Sequence, residues 1–261
     1  MFDLPSASDE PEEREEINKV YGRMVLALSD GLVVTASARA EAGAMMTPYD
    51  LLMSFIDEII TAQAQCALNG IFLRGGVSIG PFYYDNNILL SPALVRAYKL
   101  ETERATYPVI IVNQSHIAAL RKLRGIDHYS KEAEPSRLYF QPFKAPGQRK
   151  GERFFYLDYI NFLSDPGVYG FFNEAERKAA FDRDRYSPEE RDQILQESHI
   201  KSAARGMRRH KEKLIEGYLA SNSEKVRKKY RWLMKHQNRT LKGYPATYAG
   251  ALIDMNQFQP P

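Results

Sequence analysis

The stretch MVLALSDGLVVTAS, from Met24 to Ser37, is apolar on both sides of Ser29, Asp30 and Gly31. Asp-Gly between two apolar runs predicts a β-hairpin over residues 21–37, because a tight I′ turn needs positive φ at its central residues. Residues 47–70 predict a helix. Thr47 can cap it, Pro48 opens it and Gly70 can end it, while Leu51, Phe55, Ile59 and Ile60 recur on one face. IFLRGGVSIG (71–80) reads as a strand whose glycines signal a bulge or close backbone approach, and FYYDNNILLS (82–91) as a second hairpin with its tip at Asp85-Asn86-Asn87. Ser91 and Pro92 then start the helix PALVRAYKLETERA, and YPVIIV (107–112) is a buried-type strand.

The aromatic-rich segments 137–143 and 153–163 predict strands, or a strand and a short helix. From Asp165 onward the pattern turns helical. Ser187-Pro188 with Glu190 forms a capping box, and EKVRKKYRWLMKHQNRTL places Val226, Tyr230, Leu233 and Gln237 on one face. The pattern as a whole predicts an α+β fold: an antiparallel sheet with helices packed on one face, followed by a helical C-terminal extension. The expected organisation is an acidic N-terminal segment (1–19), an α+β domain (20–164) and a basic helical region (165–261).

Composition adds a location. Cys66 is the sole cysteine, which excludes an internal disulfide and a cysteine-based zinc site, and favours a reducing, cytoplasmic setting. No apolar run approaches the roughly 20 residues of a membrane span, and the acidic start lacks the apolar core of a signal peptide. The net charge of +3 hides a contrast between that acidic start and a basic segment, Lys201 to Lys242. The basic segment is either a solvated helix face with Trp232 packed on the sheet, or a docking site for phosphate-rich partners, nucleic acid included. His116, His128, His199, His210 and His236 show no metal-ligand spacing.

Two stretches carry candidate chemistry. Asp30 is either turn chemistry alone or a carboxylate placed at a hairpin tip to hold a metal. Arg96 and Lys99 are either exposed helix positions or functional cations.

Taken together, LSDGLVV, LRGGVSIG, SPALVRAYKLE and YPVIIV, in that order, resemble the catalytic domain of class III nucleotide cyclases. The likeness spans roughly residues 20–115 and is nearest to the divergent bacterial branch that makes cyclic CMP or UMP in Pycsar anti-phage defence. VRKKYRWLMKHQN also resembles a tail found in such proteins.

The resemblance implies a ferredoxin-like cyclase core and a nucleoside triphosphate substrate whose ribose 3′-hydroxyl attacks the α-phosphorus, releasing pyrophosphate. It implies Mg²⁺ or Mn²⁺ as cofactor, bound by aspartates, and a homodimer with its sites between two copies. By position it implies Asp30 as a metal ligand, Lys99 and Arg96 as catalytic cations, and Ser29, Gly31 and Arg74 as nucleotide-binding residues. Lys99 stands where many members carry a phosphate-contacting arginine, and Val95 where better-known cyclases carry an asparagine. Leu26, Ala27 and Leu28 stand where adenylate cyclases carry the base-selecting lysine, which points away from adenine.

The family's first strand, with its second metal aspartate, has no counterpart in residues 1–20, since Asp3 in MFDLP is too soon followed by proline and acids. The preferred expectation is that the natural chain extends further upstream. A catalytically degenerate member and a strand supplied by another chain are the alternatives. Three functions are therefore carried forward: a cyclase producing a cyclic pyrimidine nucleotide, a cyclase-fold binding module without catalysis, and a nucleic-acid-binding protein acting through residues 201–242.

Overall fold

The computed structural model describes residues 22–28, 31–38, 46–85, 88–145, 147–167 and 186–259. The acidic segment 1–19 lies outside them. The first hairpin forms: β1 (Met24–Leu28) and β2 (Gly31–Thr35) pair antiparallel from Met24↔Thr35 to Leu28↔Gly31, so Gly31 belongs to the strand. Helix α1 (Pro48–Leu68) starts where Thr47 and Asp50 exchange side chain–backbone hydrogen bonds of 3.2 and 3.0 Å. Leu51, Phe55 and Ile60 are buried on its core face. By length and composition alone α1 is also apolar enough to cross a membrane, contrary to the expectation that no apolar run is long enough.

Beyond α1 the chain departs from one antiparallel sheet. β3 is short, Gly75–Val77, and the hairpin of β4 (Tyr83–Asp85) and β5 (Ile88–Leu90) is a separate two-stranded sheet. Helix α2 (Pro92–Lys99) is capped by Ser91 and widens into a π-helical turn over Leu100–Arg104. β6 (Ile110–Asn113) leads into α3 (Gln114–Leu120). Pro135 opens a one-turn helix, α4 (Pro135–Tyr139), which splits the expected strand 137–143 and leaves β7 as Phe140–Phe143. β8 (Phe154–Leu157) and α5 (Tyr159–Ser164) match the strand-plus-helix alternative.

Among the described residues the central sheet runs β3-β6-β8-β7, and β1–β2 pair only with each other. β3 and β6 are parallel, because α2 crosses between them; the other pairs are antiparallel. The class is α+β as expected, but the sheet is mixed and two hairpins stand outside it.

Both faces of the sheet are covered, contrary to the expectation of helices on one face alone. Strand alternation sends Val112, Phe140 and Leu157 to one side, where α1, α5 and the long helices α6 (Pro188–Ala220) and α7 (Glu224–Thr240) close the main core. It sends Ile111, Phe143, Phe154 and Tyr156 to the other side, where Trp232 of α7 stacks on Tyr107 at 4.5 Å between ring centres. Ile60, Leu157, Ile160, Met207, Leu214 and Leu233 are fully buried, each contributing about 2 kcal/mol of transfer energy.

A buried polar layer fixes α6 against α7. His210 Nδ1 donates to Gln237 Oε1 at 2.6 Å, and the Tyr159 hydroxyl donates to His210 Nε2 at 3.0 Å. Gln237 Nε2 donates to the carbonyls of Met207 and Ala251. Every polar atom of this trio is therefore paired, which lets it sit in an apolar core. Beside it, His236 Nε2 lies 2.8 Å from Asp158 Oδ1, and the Tyr156 hydroxyl donates to Asp158 Oδ2.

Candidate functional site

The residues of LRGGVSIG and SPALVRAYKLE meet along one line, the contact between β3 and α2. Gly76 makes the approach possible: a Cβ there would lie 2.2 Å from the Ala97 carbonyl oxygen and 2.8 Å from Leu100 Cβ. The helix backbone thus rests directly on the strand. Arg74, just before β3, reaches Glu101 at 2.7 and 3.0 Å and ties the far end of the helix to the start of the strand.

At the opposite end of β3, Arg96 Nε donates to Ser78 Oγ at 3.2 Å and Nη2 donates to the Ile79 carbonyl at 3.0 Å. Ser78 Oγ also lies 3.4 Å from His116 Nε2, on α3. Burial, and then the charge of Arg96, hold His116 below the ordinary imidazole value. Ser78 Oγ thus sits between the donating Arg96 guanidinium and the His116 ring nitrogen, with the direction of the second contact set by the imidazole tautomer. The three side chains converge at the carboxyl ends of the parallel pair β3 and β6, where ligands bind in open parallel sheets.

The expected site residues separate into four groups. Ser29 and Asp30 lie outside the described residues. Gly31 is exposed in β2. Arg74 and Arg96 occupy opposite ends of β3, so they do not act on one small group together. Lys99 is exposed at the last position of α2 and has no partner among the described residues. Ser78 and His116 were not singled out from the sequence. The available signal was topological: both follow directly on strands that the crossover makes parallel.

For Mg²⁺ or Mn²⁺ the described residues offer no fit. Among them, no group of three or more His, Cys, Asp or Glu side chains could hold a metal ion.

On the basic region, Arg205, Arg208, Arg209, Glu212 and Lys213 of α6 line an open depression of about 290 Å³. Several of these cations are engaged in the fold. Arg209 Nε donates to the Leu68 carbonyl at 2.8 Å, and the neighbouring Lys211 Nζ donates to the carbonyls of Gly250 and Leu252. They satisfy backbone oxygens at the end of α1 and in the C-terminal segment.

Mixed α+β architecture with one crossover-built site is the class that fold and geometry define. No protein-family model, curated protein or solved structure matches the chain.

Proposed function

We propose that this chain is a nucleotide-cyclase-type protein that converts a nucleoside triphosphate, with a pyrimidine base, to the 3′,5′-cyclic mononucleotide and pyrophosphate. It works as a homodimer in anti-phage signalling in the cytoplasm. In this reading Asp30 binds the metal, Arg96 and Lys99 stabilise phosphate charge, and Ser29, Gly31 and Arg74 contact the nucleotide. The reading is supported first by the order of the four sequence segments. The observation that carries it is the interlock of two of them: Gly76 against Ala97 and Leu100, with Arg96 over the strand end. Residues that resemble the family in sequence are mutually dependent in space, which chance similarity of separate stretches does not require.

A second reading, a cyclase-fold module that binds nucleotide without turning it over, is favoured by the pairing of Arg74 with Glu101. That cation serves the helix–strand contact. The experiment is incubation with each of the four nucleoside triphosphates and Mn²⁺, with cyclic products read by mass spectrometry. A cyclic pyrimidine nucleotide that disappears in Asp30→Ala is the expected result. Nucleotide binding without product selects the second reading, and neither binding nor product overturns both.

A further inference from the structure

Arg96 differs in its company from three other arginines of this fold. Arg74, Arg121 and Arg231 each meet a carboxylate, from Glu101, Glu134 and Glu224 respectively. Among the described residues Arg96 meets only neutral oxygens, the Ser78 hydroxyl and the Ile79 carbonyl. The charged group that faces His116 is Arg96 of α2, with Ser78 beside it from the end of β3; the described residues place no carboxylate against it. A guanidinium, an imidazole and a hydroxyl thus converge with no acid against them among the described residues. Gly80 keeps the place clear, since a Cβ there would lie 2.2 Å from Arg96 Nη2.

We propose that Ser78, Arg96 and His116 form a binding site for a phosphate-type oxyanion, and that His116 takes up a proton as the anion binds. Arg96 supplies the fixed charge. The dianion offsets the burial, and with it the Arg96 repulsion, that hold the His116 imidazole down, so the imidazole becomes a second charged donor. Ser78, beside the charged imidazole, turns its hydroxyl to the anion. By linkage, the anion binds more tightly as pH falls through the imidazole range. That the phosphate belongs to a nucleotide rests on the cyclase reading; the anion site does not.

The test is calorimetric titration of the full chain with inorganic pyrophosphate at about pH 8 and about pH 6, with the His116 imidazole followed by NMR. The expected result is about tenfold tighter binding at the lower pH, with His116 protonating at higher pH when pyrophosphate is present. His116→Gln should abolish the pH dependence, and Arg96→Gln should weaken binding about tenfold. Ser78→Ala, a change of one oxygen, should weaken it by a smaller factor in a chain whose urea midpoint is unchanged. Lys235→Gln, an exposed cation on α7, should stay within about twofold. Affinity that ignores both pH and the Arg96 and His116 substitutions overturns the site. A parallel arm with a nucleoside triphosphate addresses the source. Tighter binding than pyrophosphate supports the nucleotide, and equal binding overturns the nucleotide while leaving the anion site supported.

Discussion

Arg96 lies in the space that any side chain at position 80 would need, with its Nη2 atom 2.2 Å from where a Gly80 Cβ would stand. The obstructing atom is the far end of a flexible side chain, so the conflict has an easy exit. Gly80→Ala should swing Arg96 off Ser78 and Ile79 while changing stability by less than about 1 kcal/mol. Pyrophosphate affinity should fall as in Arg96→Gln. Paired urea unfolding and calorimetry check both halves of this expectation.

Gly76→Ala should behave differently, because its Cβ meets the Ala97 backbone carbonyl, which cannot rotate away. Helix α2 must lift from β3, at a cost of about 1–3 kcal/mol. Gly75→Ala is the matched control: its Cβ would sit 3.4 Å from Ile110 Cγ1, an ordinary contact. Denaturant midpoints of the two variants should separate clearly, and equal midpoints would show that α2 does not rest on the strand.

The Arg74–Glu101 pair is partly exposed, at 39% and 29% of side-chain area. Solvent screens such pairs, and Glu101→Gln should cost less than about 1 kcal/mol. A larger loss in thermal unfolding would mean that the pair orders the π-helical turn as well as joining two charges.

His210 gives the fold an acid sensitivity with a defined sign. Burial, aided by the charge of His236 and opposed by the bond to Gln237, pushes its imidazole down to about 4. The unfolded chain therefore binds a proton near pH 6.5 that the folded chain refuses. Stability should fall as pH drops from about 6.5 toward 4, by roughly 3 kcal/mol from this one group, and then level off. His116, shifted in the same direction, adds to the slope. Urea midpoints measured across this range should show the decline, and His210→Gln should flatten most of it.

Tyr159→Phe removes the hydroxyl that donates to His210 Nε2 at 3.0 Å and leaves a buried acceptor without a partner. The expected loss is about 1–3 kcal/mol at neutral pH, read from the same unfolding curves.

Local features were legible in the amino-acid order. Thr47 and Ser187 announced their helices because a capping box needs only four neighbouring residues, and both boxes form. The two hairpins were visible for the same reason. What depends on remote partners was not. The parallel pairing of Gly75–Val77 with Ile110–Val112 follows from where α2 crosses, and periodicity along either strand carries no information about that. At 137–143 the aromatic run leaves strand and short helix both open, and Pro135 decides for a one-turn helix ahead of the strand.

The candidate site followed the same division. Arg74, Arg96 and Gly76 stand in conspicuous motifs, yet their roles sort by end of the strand, which only the packed helix reveals. Ser78 and His116 are separated by 38 positions and share no motif; the crossover alone brings them together. Gln237 stood on the apolar face of its helix in the sequence, but its partner His210 lies 27 positions away, and only the packing of α6 on α7 joins them.

The order of the central sheet has a consequence for how the molecule breathes. Among the described residues β3 has one neighbour, β6, and contributes three residues, two of them glycine, whereas β6 and β8 are flanked on both sides. Amide protons of Ile111, Val112 and Tyr156 should be the last to exchange with deuterated solvent, and those of β3 among the first of the sheet. The strand and helix that carry Ser78 and Arg96 then open as a unit well before the rest unfolds. An anion captured between them would slow that local exchange selectively, leaving the α6–α7 pair untouched.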